Sequence, residues 1–179
     1  IPPVGTYTAY VDARYNDNPD DDNLGGYEPM DNVVLRSYDE IVNNGWNCIK
    51  DYKEDRFGNP TTGVIIATNA IWYAGWYTGD YEDVFQWKTG AVGFHVYSGS
   101  ASDIRATTSQ SWVAGMLDKG ITGTSGAVAE PYTTGYIMPD IFFNRFLSPQ
   151  KRFNFAEACY SACHSERSER IPWDCFVVP

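Results

Sequence analysis

Three apolar runs of strand length constrain the fold of this chain more than any other feature. Val64–Tyr73, Ala91–Tyr97 and Ile121–Val128 contain no Asp, Glu, Lys or Arg and are rich in β-branched or small residues. Strands that are apolar along their whole length are typical of parallel sheets covered on both faces. Segments with helical periodicity precede, separate and follow these runs. The pattern predicts an α/β fold, a three-layer sandwich whose central sheet is mostly parallel.

Shorter signals complete the predicted order of elements. Met30–Asn44 has the clearest helical periodicity, with Asp31 as its cap. The residues Asn154-Phe155-Ala156-Glu157 have the form of a capping box and open a last helix. We expect further helices at Ser109–Lys119 and Asp140–Leu147, and further strands at Thr6–Val11, Trp46–Tyr52 and Phe176–Val178.

The organisation of the chain predicts one domain over residues 1–179. Residues 1–29 are expected to form an N-terminal arm, a strand and an acidic loop. Residues 164–179 form an atypical tail, in which Ser-Glu-Arg occurs twice in succession. Because the chain opens Ile1-Pro2-Pro3 without an initiator Met or a signal peptide, we expect a processed chain or a fragment.

Charge and composition exclude some classes of partner. The chain has 13 basic and 23 acidic residues, a net charge of −10. Affinity for nucleic acid comes largely from neutralised phosphates, so this balance argues against a nucleic-acid partner. No run approaches the ~20 apolar residues that a membrane-spanning helix needs. The many Tyr and Trp residues, with Gly, Ser, Thr and Asn, are typical of extracellular proteins, and we expect an extracellular or cell-surface location.

Five short motifs follow one another over residues 28–163. They are Tyr73-Ala74-Gly75-Trp76-Tyr77, Gly90–Ala101, Trp112 before Lys119-Gly120, Gly126–Tyr132, and Phe155-Ala156-Glu157-Ala158. In this order they resemble a family of uncharacterised exported bacterial proteins with the runs Gly-Trp-Tyr, Gly-Ala-x-x-x-His-x-x-Ser, Glu-Pro-Tyr and Phe-x-Glu-Ala. Members of that family are longer at the N-terminus, so the resemblance implies that this chain corresponds to their C-terminal α/β half. Their final Gly-Asp-Pro-Leu turn is absent here.

The order of elements is also similar to that of caspase-type peptidases. In those enzymes one strand ends in a Gly-centred turn, the next ends in the nucleophile loop, and a helix and a Gly-rich strand follow. The first strand is followed by a His and the second by a Cys, because the imidazole must activate the thiol. Here Trp76 and Ser98-Gly99-Ser100 stand at those places. The resemblance therefore implies a caspase-like order of elements without the His–Cys dyad.

A different catalytic set remains open. His95 lies two residues before the turn, where it would act as a general base, with Ser98 or Ser100 as nucleophile and Glu130 orienting the imidazole. No Gly-x-Ser-x-Gly elbow supports either serine. The alternative, which we favour, is a buried structural histidine bonded to backbone or to Glu130. The sequence thus leaves enzymatic activity uncertain and leans against it.

The aromatic segment that follows the first apolar run offers a binding surface. Trp76, Tyr77 and Tyr81 would form either a sugar-stacking platform or a contact surface for another protein, since rigid aromatic side chains dominate interface energetics. The alternative is that these rings, with Trp72 and Tyr73, fill the core on both faces of a strand. The sequence does not decide between the two.

Metal ligands and disulfides have weaker signals. Asp20, Asp22 and Asp31 are weak candidates for calcium, because Leu24 occupies a ligand position of the EF-hand spacing. A solvated acidic loop is the favoured alternative. Cys159, Cys163 and Cys175 are candidates for a disulfide, for free thiols or, with His164, for zinc. We expect no zinc, haem, nucleotide or other cofactor.

These observations predict a non-catalytic exported domain that works by association with other copies of itself, as a subunit of an extracellular filament or surface assembly. The first alternative is a divergent caspase-like or serine hydrolase that uses His95, Ser98 and Glu130. The second is a carbohydrate-binding module that uses the Trp76-Tyr77 loop.

Overall fold

The computed structural model describes residues 6–14, 28–51, 57, 66–77, 79–105, 111–129, 135–163 and 175–178. Within these ranges the elements in chain order are β1 (Thr8–Asp12), α1 (Glu28–Asn43), β2 (Asn47–Asp51), β3 (Ala67–Trp76), β4 (Phe85–Val96), α2 (Trp112–Asp118), β5 (Gly123–Ala127), α3 (Pro139–Phe146), α4 (Phe155–Cys163) and β6 (Cys175–Val178). The N-terminal arm, the acidic loop (residues 16–26) and residues 164–174 lie outside the described residues.

The strands form one sheet in the order β2-β1-β3-β4-β5-β6. The first five are parallel to their neighbours, and β6 runs antiparallel beside β5. The described parts of the three apolar runs overlap β3, β4 and β5. The predicted α/β fold with a mostly parallel sheet is therefore confirmed.

The two faces of β3 are buried against different elements. Trp72 packs edge-on against Phe143 and Phe146 of α3. Tyr73, the next residue, points to the other face and stacks on Trp112 at the start of α2. Since neighbouring strand residues point to opposite faces, β3 contacts a helix on each side. Both aromatic side chains belong to the core.

Some element boundaries differ from the predictions. Helix α1 begins at Glu28, so Asp31 lies inside its first turn and is not its cap. Strand β4 begins at Phe85, six residues before the predicted start at Ala91, because the chain crosses an irregularity in the β3–β4 pairing. Gly90, at this irregularity, has φ of +89°, which L side chains rarely adopt.

Helix ends follow the local sequence. The backbone N–H of Asn154 donates to Glu157 Oε2 at 2.8 Å, and the N–H of Glu157 donates to Asn154 Oδ1 at 3.0 Å. This reciprocal pair is the predicted capping box at the start of α4. Among the described residues no helix combines the length and the apolar character needed to cross a membrane.

Candidate functional site

The carboxyl ends of the parallel strands place polar residues in one row across the sheet. Asp12 of β1 is in register with Asp51 of β2 and with Gly75 of β3, and Gly75 is in register with His95 of β4. Residues in register on parallel strands share a face of the sheet, so Asp12 and His95 flank the vacant position at Gly75, and Asp51 lies beyond Asp12. Ligands of α/β proteins collect at this edge of the sheet, which makes the row the candidate site.

Tyr73 fills the position that Gly75 leaves vacant. A Cβ at residue 75 would collide with the hydroxyl of Tyr73, which lies over the glycine. From there the Tyr73 oxygen is 2.9 Å from His95 Nδ1 and 3.5 Å from Asp12 Oδ2. We call Asp51, Asp12, Tyr73 and His95 the polar row. Each of its members is buried.

Trp112 closes the polar row from the side of α2. Its indole lies parallel to the imidazole of His95, with 3.7 Å between the ring centroids, and parallel to the Tyr73 ring at 5.5 Å. His95 retains 1% of its accessible surface, so this histidine is a core residue and does not line an open cleft. The expectation that His95 is a buried, hydrogen-bonded residue agrees with this placement, but its described side-chain partner is Tyr73.

Burial and neighbouring carboxylates disfavour the charged form of Asp12. Burial raises the pKa of Asp12 well above its ordinary value, the charge of Asp51 raises it further, and the hydrogen bond from Tyr73 opposes them. Above the ordinary pKa of 3.8 the unfolded chain releases this proton while the folded chain retains it. The contribution of Asp12 to the free energy of unfolding therefore falls as the pH rises towards its folded-state pKa. Burial likewise raises the pKa of Tyr73.

A second cluster joins the ends of β1 and β3 to α1. The indole N–H of Trp76 donates to Asp31 Oδ1, which also accepts the backbone N–H of Arg14 at 3.1 Å. The Arg14 guanidinium lies 4.8 Å above the centre of the Tyr77 ring. Tyr77 itself has φ of +85°, in the left-handed region that non-glycine residues seldom occupy.

This cluster corrects the expectation that Trp76 supplies exposed binding surface. The side chain is only 4% exposed because it packs between the sheet and α1. Tyr77 is half-buried beneath Arg14. Tyr81 is also half-buried, since its hydroxyl accepts the Trp87 indole N–H at 3.2 Å and its ring packs edge-on against Trp112. The aromatic segment is used mainly for core packing.

The structure does not bring the predicted catalytic residues together as a set. Ser98 is exposed in the turn after β4, whereas His95 is buried within the strand. Ser100 is buried, and its hydroxyl accepts the backbone N–H of Ala127 at 3.3 Å, which ties the turn to β5. Glu130 lies outside the described residues, so its predicted role is untested.

The other predicted ligands have separate places. Asp31 accepts the hydrogen bonds described above, while Asp20 and Asp22 lie outside the described residues. In the described ranges no three His, Cys, Asp or Glu side chains are grouped so that they could hold a metal ion. Cys159 is a free, buried thiol, and burial raises its pKa to about 12. Cys163 lies one turn further along α4, and the side chain of Cys175 is not described.

Most of the polar row is missed by sequence reasoning. Asp12, Asp51 and Tyr73 are not among the predicted site residues, although each lies in or next to a predicted strand. A signal is present in Asp12 and Asp51, since each is an acidic residue that directly follows an apolar or mixed strand segment. Only the register between strands shows that these residues meet.

Comparisons with known protein families, with curated proteins and with solved structures found no match for this chain. The function is therefore inferred from the fold and from the geometry of the candidate site.

Two buried tryptophans of β3 make a matched pair for mutation. Trp76 donates its indole N–H to a buried carboxylate, whereas the indole nitrogen of Trp72 has no hydrogen-bond partner among the described residues. Both substitutions to Phe remove a similar volume, but only Trp76→Phe leaves Asp31 short of a donor. We expect Trp76→Phe to lower the free energy of unfolding by about 1–3 kcal/mol more than Trp72→Phe does. Urea unfolding of the two variants tests this, and equal losses would contradict it.

Proposed function

We propose that this chain is a non-catalytic α/β domain that associates with other copies of itself in an extracellular or cell-surface assembly. One observation carries the proposal. It concerns the residue at the position where caspase-type peptidases have their catalytic histidine. That position is Trp76, and its indole is buried and bonded to Asp31. A side chain engaged in this way has no proton-transfer chemistry to offer a nucleophile.

The proposal includes a three-layer build with a caspase-like order of elements. Strand β3 ends at Trp76, β4 ends at Val96, and α2 and the Gly-containing strand β5 follow in that order. The contacts of Trp72 with α3 and of Tyr73 with α2 favour helical layers on both sides. The resemblance to the exported bacterial family, on the five motifs given above, supports export.

The edge of the sheet at β2 is the favoured surface for a second copy. Within the described residues β2 is the outermost strand on its side, and Ile49 at its centre is 40% exposed. The backbone groups of an edge strand that face away from the sheet can pair with another strand. A strand of a second copy that paired with β2 would continue the sheet. Association of this kind requires no bound ligand. We also expect the N-terminal segment, which opens Ile1-Pro2-Pro3, to contact a neighbouring copy.

Sedimentation velocity over a range of protein concentrations tests the association. We expect the wild-type chain to form dimers or larger species as the concentration rises. Ile49→Lys, which puts a charge on the β2 edge, should weaken association at least tenfold, about 1.4 kcal/mol. Tyr160→Lys introduces the same charge on α4, at a side chain that is 64% exposed, and should have a smaller effect. A chain that stays monomeric at every concentration would overturn the proposal.

The two alternatives have weaker support. A serine hydrolase needs a base beside its nucleophile, but His95 is covered by Trp112 and bonded to Tyr73. Labelling of Ser98 by a serine-directed fluorophosphonate that is lost in His95→Gln would support the hydrolase alternative. A carbohydrate platform needs exposed ring faces, and the Tyr77 face carries the Arg14 guanidinium.

A further inference from the structure

The hydroxyl of Tyr73 lies between two titratable side chains, those of His95 and Asp12. It lies 2.9 Å from His95 Nδ1 and 3.5 Å from Asp12 Oδ2, and each of the three side chains is buried. A phenol has one proton, so Tyr73 donates to one neighbour and accepts from the other. The three side chains therefore form a hydrogen-bonded chain with a direction.

The protonation state of Asp12 sets that direction. When Asp12 is ionised, His95 donates from Nδ1 to the Tyr73 oxygen, and Tyr73 donates to the carboxylate. When Asp12 carries a proton, its carboxyl donates to the Tyr73 oxygen and Tyr73 donates to Nδ1. A neutral His95 that accepts at Nδ1 has its own proton on Nε2.

We propose that Asp12, Tyr73 and His95 form a buried proton relay, in which uptake of one proton reverses both hydrogen bonds and moves His95 from the Nδ1–H to the Nε2–H tautomer. The steps balance. Because His95 is buried, Nε2 takes up a proton from water when the fold opens locally. The Nδ1 proton then passes to the Tyr73 oxygen, and the original phenolic proton passes to Asp12 Oδ2. The imidazole and the phenol end neutral, and Asp12 ends as a carboxylic acid.

The charges around the relay favour this distribution of the proton. Asp51 from β2, Asp31 from α1 and Arg14 after β1 face Asp12, and the two carboxylates outnumber the single cation. Tyr81 faces Tyr73, and the uncharged ring of Trp112 covers Tyr73 and His95. An imidazolium beneath Trp112 would lose its hydration, whereas a protonated Asp12 removes a buried charge. The same setting holds the pKa of Asp12 above its usual range.

The two links differ in strength. The Tyr73–His95 distance of 2.9 Å is that of an ordinary hydrogen bond. The Tyr73–Asp12 distance of 3.5 Å is at the long limit and must shorten for a proton to cross. The consequence is a histidine whose Nε2 turns from acceptor to donor without becoming charged.

Nitrogen-15 NMR of the histidine rings in the full chain distinguishes the tautomers. His164→Gln leaves the His95 ring as the single histidine signal, and circular dichroism shows whether the chain stays folded. We expect Nδ1–H at high pH and Nε2–H at lower pH, with a transition above the ordinary range of an Asp carboxyl. Asp12→Asn, whose amide donates as a carboxylic acid does, should hold Nε2–H at every pH. Tyr73→Phe should abolish the reversal, and Asp83→Asn, at an exposed carboxylate, should leave it unchanged.

Either of two results in the chain that carries only His164→Gln would overturn the relay. One is a His95 ring that becomes doubly protonated as the pH falls while the chain is still folded. The other is a single tautomer over the whole folded range. Both are read without the Asp12 and Tyr73 substitutions, so failure of either of those variants to fold leaves the test intact.

Discussion

Replacing Trp112 with alanine is expected to lower the free energy of unfolding by about 3–5 kcal/mol. The side chain is 0% exposed and lies parallel to the rings of His95 and Tyr73. It also meets Tyr81 and Phe85 edge-on. Removing it opens a cavity beside the polar row, and the stacked rings lose their partner. Guanidinium chloride unfolding followed by circular dichroism measures the loss.

Trp87→Ala is the control for this substitution. Trp87 stacks on Phe85 at 4.5 Å between centroids but is only half-buried, so its removal leaves a groove that water fills. We expect it to cost less than Trp112→Ala. Trp112→Phe keeps a ring over His95 and should recover part of the loss. If Trp112→Ala cost no more than the Trp87 variant, Trp112 would not be the support of the polar row.

The sheet could be predicted from the sequence because its inner strands are buried on both faces. Burial on both faces requires continuous apolar runs, and the runs in β3, β4 and β5 have no competing helical period. The capping box of Asn154 and Glu157 was equally readable, since both partners lie within four residues of each other. Signals of this kind are local, so they can be recognised without knowledge of the tertiary structure.

The polar row could not be predicted because it depends on register. Asp12, Gly75 and His95 are far apart in the chain and meet only because β1, β3 and β4 are aligned as they are. Before that alignment is known, Asp12 is one of many acidic residues in an acidic chain. The sequence indicates a buried histidine at position 95, but it presents Tyr73, the partner of that histidine, only as a core or platform residue.

The aromatic segment shows a second limit of sequence reasoning. The alternation of side chains along a strand places Trp76 and Tyr73 on opposite faces of β3. This alternation does not indicate whether both faces of the strand are covered by other elements. Trp76 is buried because Asp31 of α1 provides an acceptor for its indole N–H. That acceptor lies 45 residues earlier in the chain, so no local pattern indicates it.

Gly75→Ala is expected to destabilise the domain by about 1–3 kcal/mol, because the new methyl group takes the place of the Tyr73 hydroxyl. Tyr73 cannot simply move aside. Its ring is fully buried and is held by Phe85, at 4.8 Å between centroids, and by Trp112. The substitution should therefore also separate Tyr73 from His95, which urea unfolding and the nitrogen-15 signal of the His95 ring would register together.

A double-mutant cycle with Tyr73→Phe separates this clash from any general cost of a methyl group. Phenylalanine lacks the hydroxyl that a Cβ at residue 75 would meet first, so Gly75→Ala should cost less in the Tyr73→Phe background, by at least about 0.5 kcal/mol. Gly90→Ala is the control, since its Cβ meets no atom within 4 Å and its cost comes from φ of +89°. That cost should be the same in both backgrounds. Equal costs of Gly75→Ala in the two backgrounds would mean that the glycine is not there to make room for the Tyr73 hydroxyl.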